Sequence, residues 1–373
     1  MNQTTELLPL KVAAARTVAL LLIQKQIRWR KLMEVARTLR EIIPKLKLPI
    51  KIRRPLQELV SLLLREIQRW ADKHVEMFPK VPVKIGRTPR SEHVRMFQPW
   101  IVWKPGKYEI DDYLTAKNIM QNECKNWPQV RWQFACCYAM EEEIFDDWKY
   151  DRHRRSTFKK TLSDHPVYEF WSALYEARWE SMFETERRLP NQKMTQCFIF
   201  AITNGYCELV KFLWHKIGLN HGEYVGLLQW KASCFRCRDR DTMKFLCTKL
   251  CELNPKAVAR ITWCTFFDAF YKAVNNEETD KVIEQKNRCK VQFLLTNCCD
   301  VLRKRLLGME NFRVICDAFR YNLGDLFTLF LEHLDKDDLR AAREVVDRIH
   351  DRTRTSHGSS MKQMILRKQQ TIN

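Results

Sequence analysis

A short phrase near the middle of the chain, AITNGYCELVKFL from Ala201 to Leu213, constrains the fold more than any other feature. It places the small Ala201 four positions before Gly205 and the acidic Glu208 three positions after it. Glycine accepts the left-handed backbone of a tight turn, and an acid in the first turn of a helix complements the helix dipole. The phrase therefore predicts two short antiparallel helices joined at Gly205, with Ala201 packed against a neighbouring helix pair.

Related phrases recur before and after this one. The strongest runs from Ala318 to Leu331, with Asn322 in the place of Gly205 and Asp325 in the place of Glu208. When four phrases are registered on the residue before an aliphatic side chain or Met, the anchors fall at positions 143, 208, 242 and 325, and a weaker phrase has its anchor at 280. A helix-turn-helix phrase repeated in this way is typical of a stacked solenoid, which binds other macromolecules.

These residues resemble the ankyrin repeat, best at Phe200–Leu213 and next at Ala318–Leu331. The gap between positions 143 and 208 is close to two ankyrin units of about 33 residues, with the missing unit around Tyr168–Phe183. The Thr-Pro-Leu-His opening of the family is absent throughout the sequence. The resemblance implies roughly five to seven repeats that bind protein on a concave face and share no catalytic residues. The alternative is another kind of helical-hairpin solenoid.

The amino-terminal region has a different pattern. Only 9 Gly and 13 Pro interrupt the 373 residues, so long apolar stripes at helical spacing predict an all-α protein. A first helix is expected from about Thr4 to Ile43, with a break near Gln24–Arg28, and a second helix is expected to begin at Pro55. Their stripes are Leu32, Val35, Ala36, Leu39 and Ile43, and then Leu56, Leu59, Val60, Leu63, Leu64, Ile67 and Ala71.

Proline and charge together suggest the domain organisation. We expect a basic helical hairpin over residues 1–78, a Pro-rich linker over 79–107, an ankyrin-like helical-hairpin array over 108–350, and a disordered basic tail over 351–373. The fold class is therefore all-α, an amino-terminal helical hairpin followed by a solenoid.

Positive charge is concentrated at the amino-terminal end. The formal net charge is +20, and residues 1–105 carry 22 Lys and Arg against 8 Asp and Glu. Such a surface attracts polyanions weakly and without sequence preference, whether nucleic acid, acidic protein or anionic membrane. The alternative is a solvated basic face that keeps the protein soluble. The predicted polyanion contacts lie in the segment between the two helices, at Lys45, Lys47, Lys51, Arg53 and Arg54.

No motif of a known reaction is present. The sequence has no GxxxxGK[ST] or GxGxxG phosphate loop and no GxSxG nucleophile elbow. Of its 14 cysteines, Cys234, Cys237, Cys247 and Cys251 are the best candidates for a zinc site, but their helical spacing favours ordinary buried thiols, and we expect no shared metal. The apolar stretch Val18–Ile23 is too short to span a membrane.

The sequence therefore predicts a non-enzymatic adaptor, without cofactor or metal, that binds a protein partner through a helical-repeat surface. The alternative is a nucleic-acid-associated protein that uses the basic amino-terminal helices and linker, and an enzyme of unrecognised type is a third hypothesis. Without a secretion signal, reduced thiols are expected, and so is a cytoplasmic or nuclear location. The residues assigned to repeat turns and repeat packing are Ala201, Gly205, Glu208, Ala318, Asn322 and Asp325.

Overall fold

The computed structural model describes residues 10–27, 31–78, 97–124, 127–150, 165–176, 192–216, 237, 239–252, 270, 281–353 and 357–372. These residues form 15 helices and no strand, which confirms the all-α class for the described part of the chain. The chain divides into two compact units, Met1–Trp171 and Ser172–Asn373. The first unit thus extends well beyond the linker predicted at 79–107.

The first unit is built around one long helix. Its helices are α1 Leu10–Gln26, α2 Leu32–Ile42, α3 Ile50–Lys73, α4 Asp112–Asn122, α5 Pro128–Cys137, α6 Glu141–Tyr150 and α7 Pro166–Glu176, which begins in this unit. Short 3-10 turns lie at Ile43–Lys45, Val75–Met77 and Gln98–Trp100. The first helix ends at Gln26, inside the predicted break.

The apolar stripes pack as predicted, because α3 contacts both α1 and α2. In the first stripe, Val35, Leu39 and Ile43 are buried. In the second stripe, every residue except Ala71 is buried. Trp70 completes the buried face of α3. Burying one face leaves the opposite face in water, so most of the predicted cations are exposed: Lys31, Arg37, Arg40, Lys45, Lys47, Lys51 and Arg54, with Arg53 half-buried.

The predicted basic linker is shorter than expected. The third helix begins at Ile50, with Pro49 at its N-cap, so Pro55 lies inside the helix and not at its start. Pro55 lacks the N–H that would bond the carbonyl of Lys51, and a helix tolerates that loss most easily near its first turns. Arg53 Nη1 donates to the carbonyl of Pro44 over 2.6 Å and ties the new helix to the end of the previous one. The segment 44–54, which includes the first turn of α3, is therefore a closed tip where α2 and α3 join.

The second unit contains the remaining helices. They are α8 Gln192–Asn204, α9 at 207–216, α10 Arg240–Glu252, α11 Lys281–Asn297, α12 Asp300–Arg320, α13 Gly324–Glu332, α14 Lys336–Thr353 and α15 Gly358–Ile372. The twelfth helix packs against α13 and α14, and α15 packs against the same two.

The carboxy-terminal segment differs from its prediction. Residues 351–373 were expected to be a disordered basic tail, whereas residues 358–372 form α15. Met361 and Ile365 are buried, and Lys362 Nζ lies 2.7 Å from an oxygen of Asp347 on α14. Met361 and Ile365 are one helical turn apart, so they bury one face of this helix.

Three helix junctions share one geometry. The turn residues Ala139, Gly205 and Asn322 have φ of 50, 72 and 55°. In each case the next residue donates its N–H to the carbonyl of an alanine five positions earlier, over 3.0, 2.9 and 2.9 Å. The turn residue itself donates to the carbonyl three positions earlier. This bond pair is the Schellman motif, which satisfies the last carbonyls of a helix while the chain reverses. The accepting alanines, all fully buried, are Ala135, Ala201 and Ala318.

The structure corrects the register of the first phrase by one residue. The acid lies three positions after the turn residue at Glu208 and at Asp325, so its counterpart after Ala139 is Glu142. The predicted anchor, Glu143, instead pairs with Arg131. The turn fixes the register because it decides where the second helix begins. Whether successive hairpins stack into a solenoid stays a prediction.

At the Gly205 junction the turn residue has no space for a side chain. A Cβ added there would lie 2.3 Å from Cβ of Asp239, which caps α10 by accepting the N–H of Thr242. We expect Gly205→Ala to destabilise the second unit by about 2–4 kcal/mol, because alanine is strained in the left-handed conformation and its Cβ would overlap Asp239. Gly308→Ala is the matched control, since a Cβ there meets nothing within 4 Å, and should change stability by less than about 1 kcal/mol. Equal shifts of the urea midpoint in both variants would contradict this assignment.

Candidate functional site

The twelfth helix is interrupted beside a concave surface of the second unit. Met309 is extended, and the next three residues, Glu310, Asn311 and Phe312, have left-handed φ of 49, 59 and 58°. A left-handed conformation costs roughly 1–2 kcal/mol for each residue that carries a side chain. Phe312 is buried and anchors the turn in the core. Backbone strain of this kind persists where surrounding packing enforces it, and it clusters at functional sites.

A cleft of about 450 Å³ lies against this left-handed turn. Four arginines line it, Arg313 and Arg320 from α12 and Arg348 and Arg352 from α14. Apolar atoms of Val345 and Ile349 and the thiol of Cys316 complete much of the wall. We call this site the arginine cleft.

Asp317 holds the two arginines of α12 in place. Its carboxylate lies 3.0 Å from Nη1 of Arg320 and 3.7 Å from Nε of Arg313. The Asp317 side chain is only 7% exposed, and burial raises its pKa, although Arg320 acts in the opposite direction. Glu310 also accepts from Arg313 Nη1, over 2.6 Å. Both guanidinium groups are therefore oriented before any ligand arrives.

The two arginines of α14 have no carboxylate partner in the described part of the chain. Arg348 and Arg352 are four residues apart, so they lie on the same face of the helix. Both are exposed, and Arg348 Nε donates to the carbonyl of Glu344 over 3.2 Å. Four guanidinium groups thus face two carboxylates, and the arginine cleft carries an excess of positive charge.

The thiol in the arginine cleft is not poised for nucleophilic chemistry. Burial raises the pKa of Cys316 to about 11, despite the opposing effect of Arg320 and Arg348. At neutral pH the group is protonated, and only the thiolate is a strong nucleophile. The lining suits recognition of carboxylate or phosphate groups, because guanidinium presents paired donors in a planar fork.

A second polar cluster, in the first unit, is fully packed. His74 donates from Nδ1 to the carbonyl of Trp70 over 2.7 Å, and its Nε2 accepts from the hydroxyl of Tyr138 over 2.6 Å. Beside it, Asp112 pairs with Arg69 and Lys73 at 2.6 Å each. Burial would raise the pKa of Asp112, but these two cations hold it well below its ordinary value. His74 and Tyr138 are buried and Asp112 is largely covered by its two cations, so this cluster is a structural network of the first unit.

The burial of His74 predicts a pH dependence of stability. Burial lowers its pKa from 6.5 to about 3, so the unfolded chain takes up the proton first and the histidine's contribution is lost as the pH falls below 6.5. Between pH 6.5 and 4.5 the wild-type protein should lose about 2–3 kcal/mol more stability than His74→Gln, which cannot titrate. Urea unfolding at several pH values measures this difference. Parallel pH profiles for the two proteins would contradict it.

The residues predicted from the repeat phrases lie outside the arginine cleft. Gly205 and Asn322 lie in helix junctions, and Ala201 and Ala318 are fully buried beneath them. Glu208 accepts from Lys211 over 2.6 Å in the first turn of α9. Asp325, in the first turn of α13, lies 3.5 Å from Arg288. Gly205 and Asn322 thus form the turns, and the carbonyls of Ala201 and Ala318 accept the hydrogen bonds that close them.

The arginine cleft could not be predicted from the sequence. The spacing of Arg348 and Arg352 and that of Arg313, Asp317 and Arg320 were available as helical signals. The sequence gives no signal that these residues come together from two helices separated by α13, because their proximity depends on the packing of α12 against α14.

The predicted cysteine cluster is only partly described. Cys237 and Cys247 are buried, whereas Cys234 and the side chain of Cys251 lie outside the described residues. Among the residues that the structure describes, no group of three or more candidate ligands could hold a metal ion. Within the same residues, no helix is long and apolar enough to cross a membrane.

Comparisons with known proteins add no identification. No protein-family model, no curated protein and no solved structure matches this chain.

Proposed function

We propose that the protein is a non-enzymatic adaptor that binds an acidic segment of a partner protein in the arginine cleft. The observation that carries this proposal is the convergence of four arginines on one concave surface of about 450 Å³. Among these, Arg348 and Arg352 lack a carboxylate partner in the described part of the chain, so they have donors to offer a ligand. An acidic segment supplies the complementary charge.

Pre-orientation supports a binding role. Asp317 and Glu310 hold Arg313 and Arg320, so a ligand does not have to order those two side chains. Immobilising a long side chain costs roughly 0.5–1.5 kcal/mol on binding, and a preformed site avoids that cost. Glu310 and Asn311 of the left-handed turn also line the arginine cleft, directly before Arg313.

The lining also supports binding over catalysis. Arginine stays protonated at all accessible pH values, and the Cys316 thiol has a pKa of about 11. A general acid or base works best when its pKa lies near the working pH. A recognition site needs no such group, and charge-assisted hydrogen bonds are sufficient for it.

A labelled deca-glutamate peptide is a suitable probe for this proposal. The double variant Arg348→Ala/Arg352→Ala should weaken its binding by at least about tenfold, since each charge-assisted hydrogen bond contributes about 1.5–3 kcal/mol. Fluorescence anisotropy measures the dissociation constant. Neither arginine belongs to the apolar core, so the variant should fold as the wild type does.

The matched control removes two exposed arginines from the same two helices outside the arginine cleft. Arg305→Ala/Arg340→Ala changes the net charge equally and should retain most of the affinity. If the control lost as much affinity as the cleft variant, the peptide would be responding to overall charge and the proposed site would be wrong.

A further inference from the structure

The tip of the first unit, residues 44–54, combines two kinds of side chain in one short segment. Its sequence, PKLKLPIKIRR, alternates cations with aliphatic residues, and no acid lies between Glu41 and Glu58. No residue from 31 to 69 is aromatic. The tip is therefore both basic and aliphatic over its whole length.

The structure presents this mixture outward on a fixed backbone. Ile50 is 72% exposed, and Lys45, Lys47, Lys51 and Arg54 are exposed around it. The bond from Arg53 to Pro44 closes the tip, and the N–H of Leu46 donates to the carbonyl of Ile43 over 3.2 Å. Ile43 and Leu56 anchor its two ends in the core, and Leu46, Leu48 and Ile52 are half-buried beside them. The combination of a ring of cations with an exposed aliphatic side chain on a fixed segment suits a surface that takes both charge and apolar contact.

An anionic lipid surface meets both requirements. Its headgroups attract Lys and Arg, and the region beneath them accepts aliphatic side chains. Nucleic acid offers phosphates but rewards aromatic stacking, which the tip cannot provide. Attraction to negative charge alone would account for the exposed cations but would give Ile50 no role.

We propose that this tip docks the first unit on an anionic membrane surface, with Ile50 inserted among the headgroups and Lys45, Lys47, Lys51 and Arg54 on the lipid phosphates and carboxylates. This inference is independent of the arginine cleft, because it rests on residues of the first unit alone.

Co-sedimentation of the full chain with vesicles tests the proposal. Phosphatidylcholine vesicles that contain roughly one-third phosphatidylserine should bind the protein, and pure phosphatidylcholine vesicles should not. Lys47→Glu/Lys51→Glu should lower binding by at least about tenfold, because each cation near such a surface contributes roughly fivefold. Arg37→Glu/Arg40→Glu, on the exposed face of α2, is the control with the same change in charge and should lose less.

The substitution at position 50 separates lipid docking from simple charge attraction. Ile50→Ser should lower vesicle binding several-fold, and Ile50→Leu should restore it, because only insertion depends on an aliphatic side chain. Both variants keep the charge and leave the core intact. Full binding by Ile50→Ser would overturn the proposal.

A single-stranded oligonucleotide tests the competing partner. Binding through about six phosphates falls by roughly a thousandfold or more between 50 and 200 mM salt, so the oligonucleotide should be released in that range. Vesicle binding should fall less over the same range, since Ile50 insertion is insensitive to salt. Salt-resistant oligonucleotide binding that exceeds vesicle binding and depends on Lys47 and Lys51 would assign the tip to nucleic acid and overturn the proposal.

Discussion

A left-handed residue at the end of a helix lets the chain reverse within two residues, and this protein uses that device at Ala139, Gly205 and Asn322. The last carbonyls of each helix are satisfied by the reversal itself, so the turn needs no capping side chain. Because the alanine that accepts the long bond is fully buried, the next element can approach the helix closely. The geometry of these three hairpins depends on these few residues.

At the arginine cleft, left-handed turns fix the helical segment that carries the arginines of α12. The second part of α12 runs between the left-handed segment at 310–312 and the turn at Asn322, so both of its ends are fixed. Arg313, Asp317 and Arg320 fall on one face of that piece, because they are separated by four and three residues. A buried carboxylate between two arginines is costly to desolvate and gives little stability in return. It does, however, fix the positions of two guanidinium groups, which is what a preformed binding site requires.

The individual helices and turns of this fold can be predicted from the sequence more accurately than the contacts between them. Helical periodicity identified the stripes of α2 and α3 because burial of one face is a local property of a helix. It also placed Gly205 and Asn322 in turns, since few residues tolerate a left-handed backbone. Register failed at Glu143, where three successive acids hid the true start of the helix. The start of α3 was misjudged because Pro49 and Pro55 are equally good sequence signals for a helix beginning.

The two basic surfaces differ in a way that composition alone does not reveal. The arginine cleft is concave and all its cations are arginines, whose planar forks pair with carboxylates and phosphates in fixed directions. The tip at 44–54 is closed by Arg53, and its exposed cations are mostly lysines, which bear compact charges on flexible stems. The direction of each hydrogen bond is important for a peptide that lies in a groove. It is much less important for a layer of mobile lipid headgroups. The net charge of +20 is therefore distributed over surfaces that differ both in shape and in the chemistry of their cations.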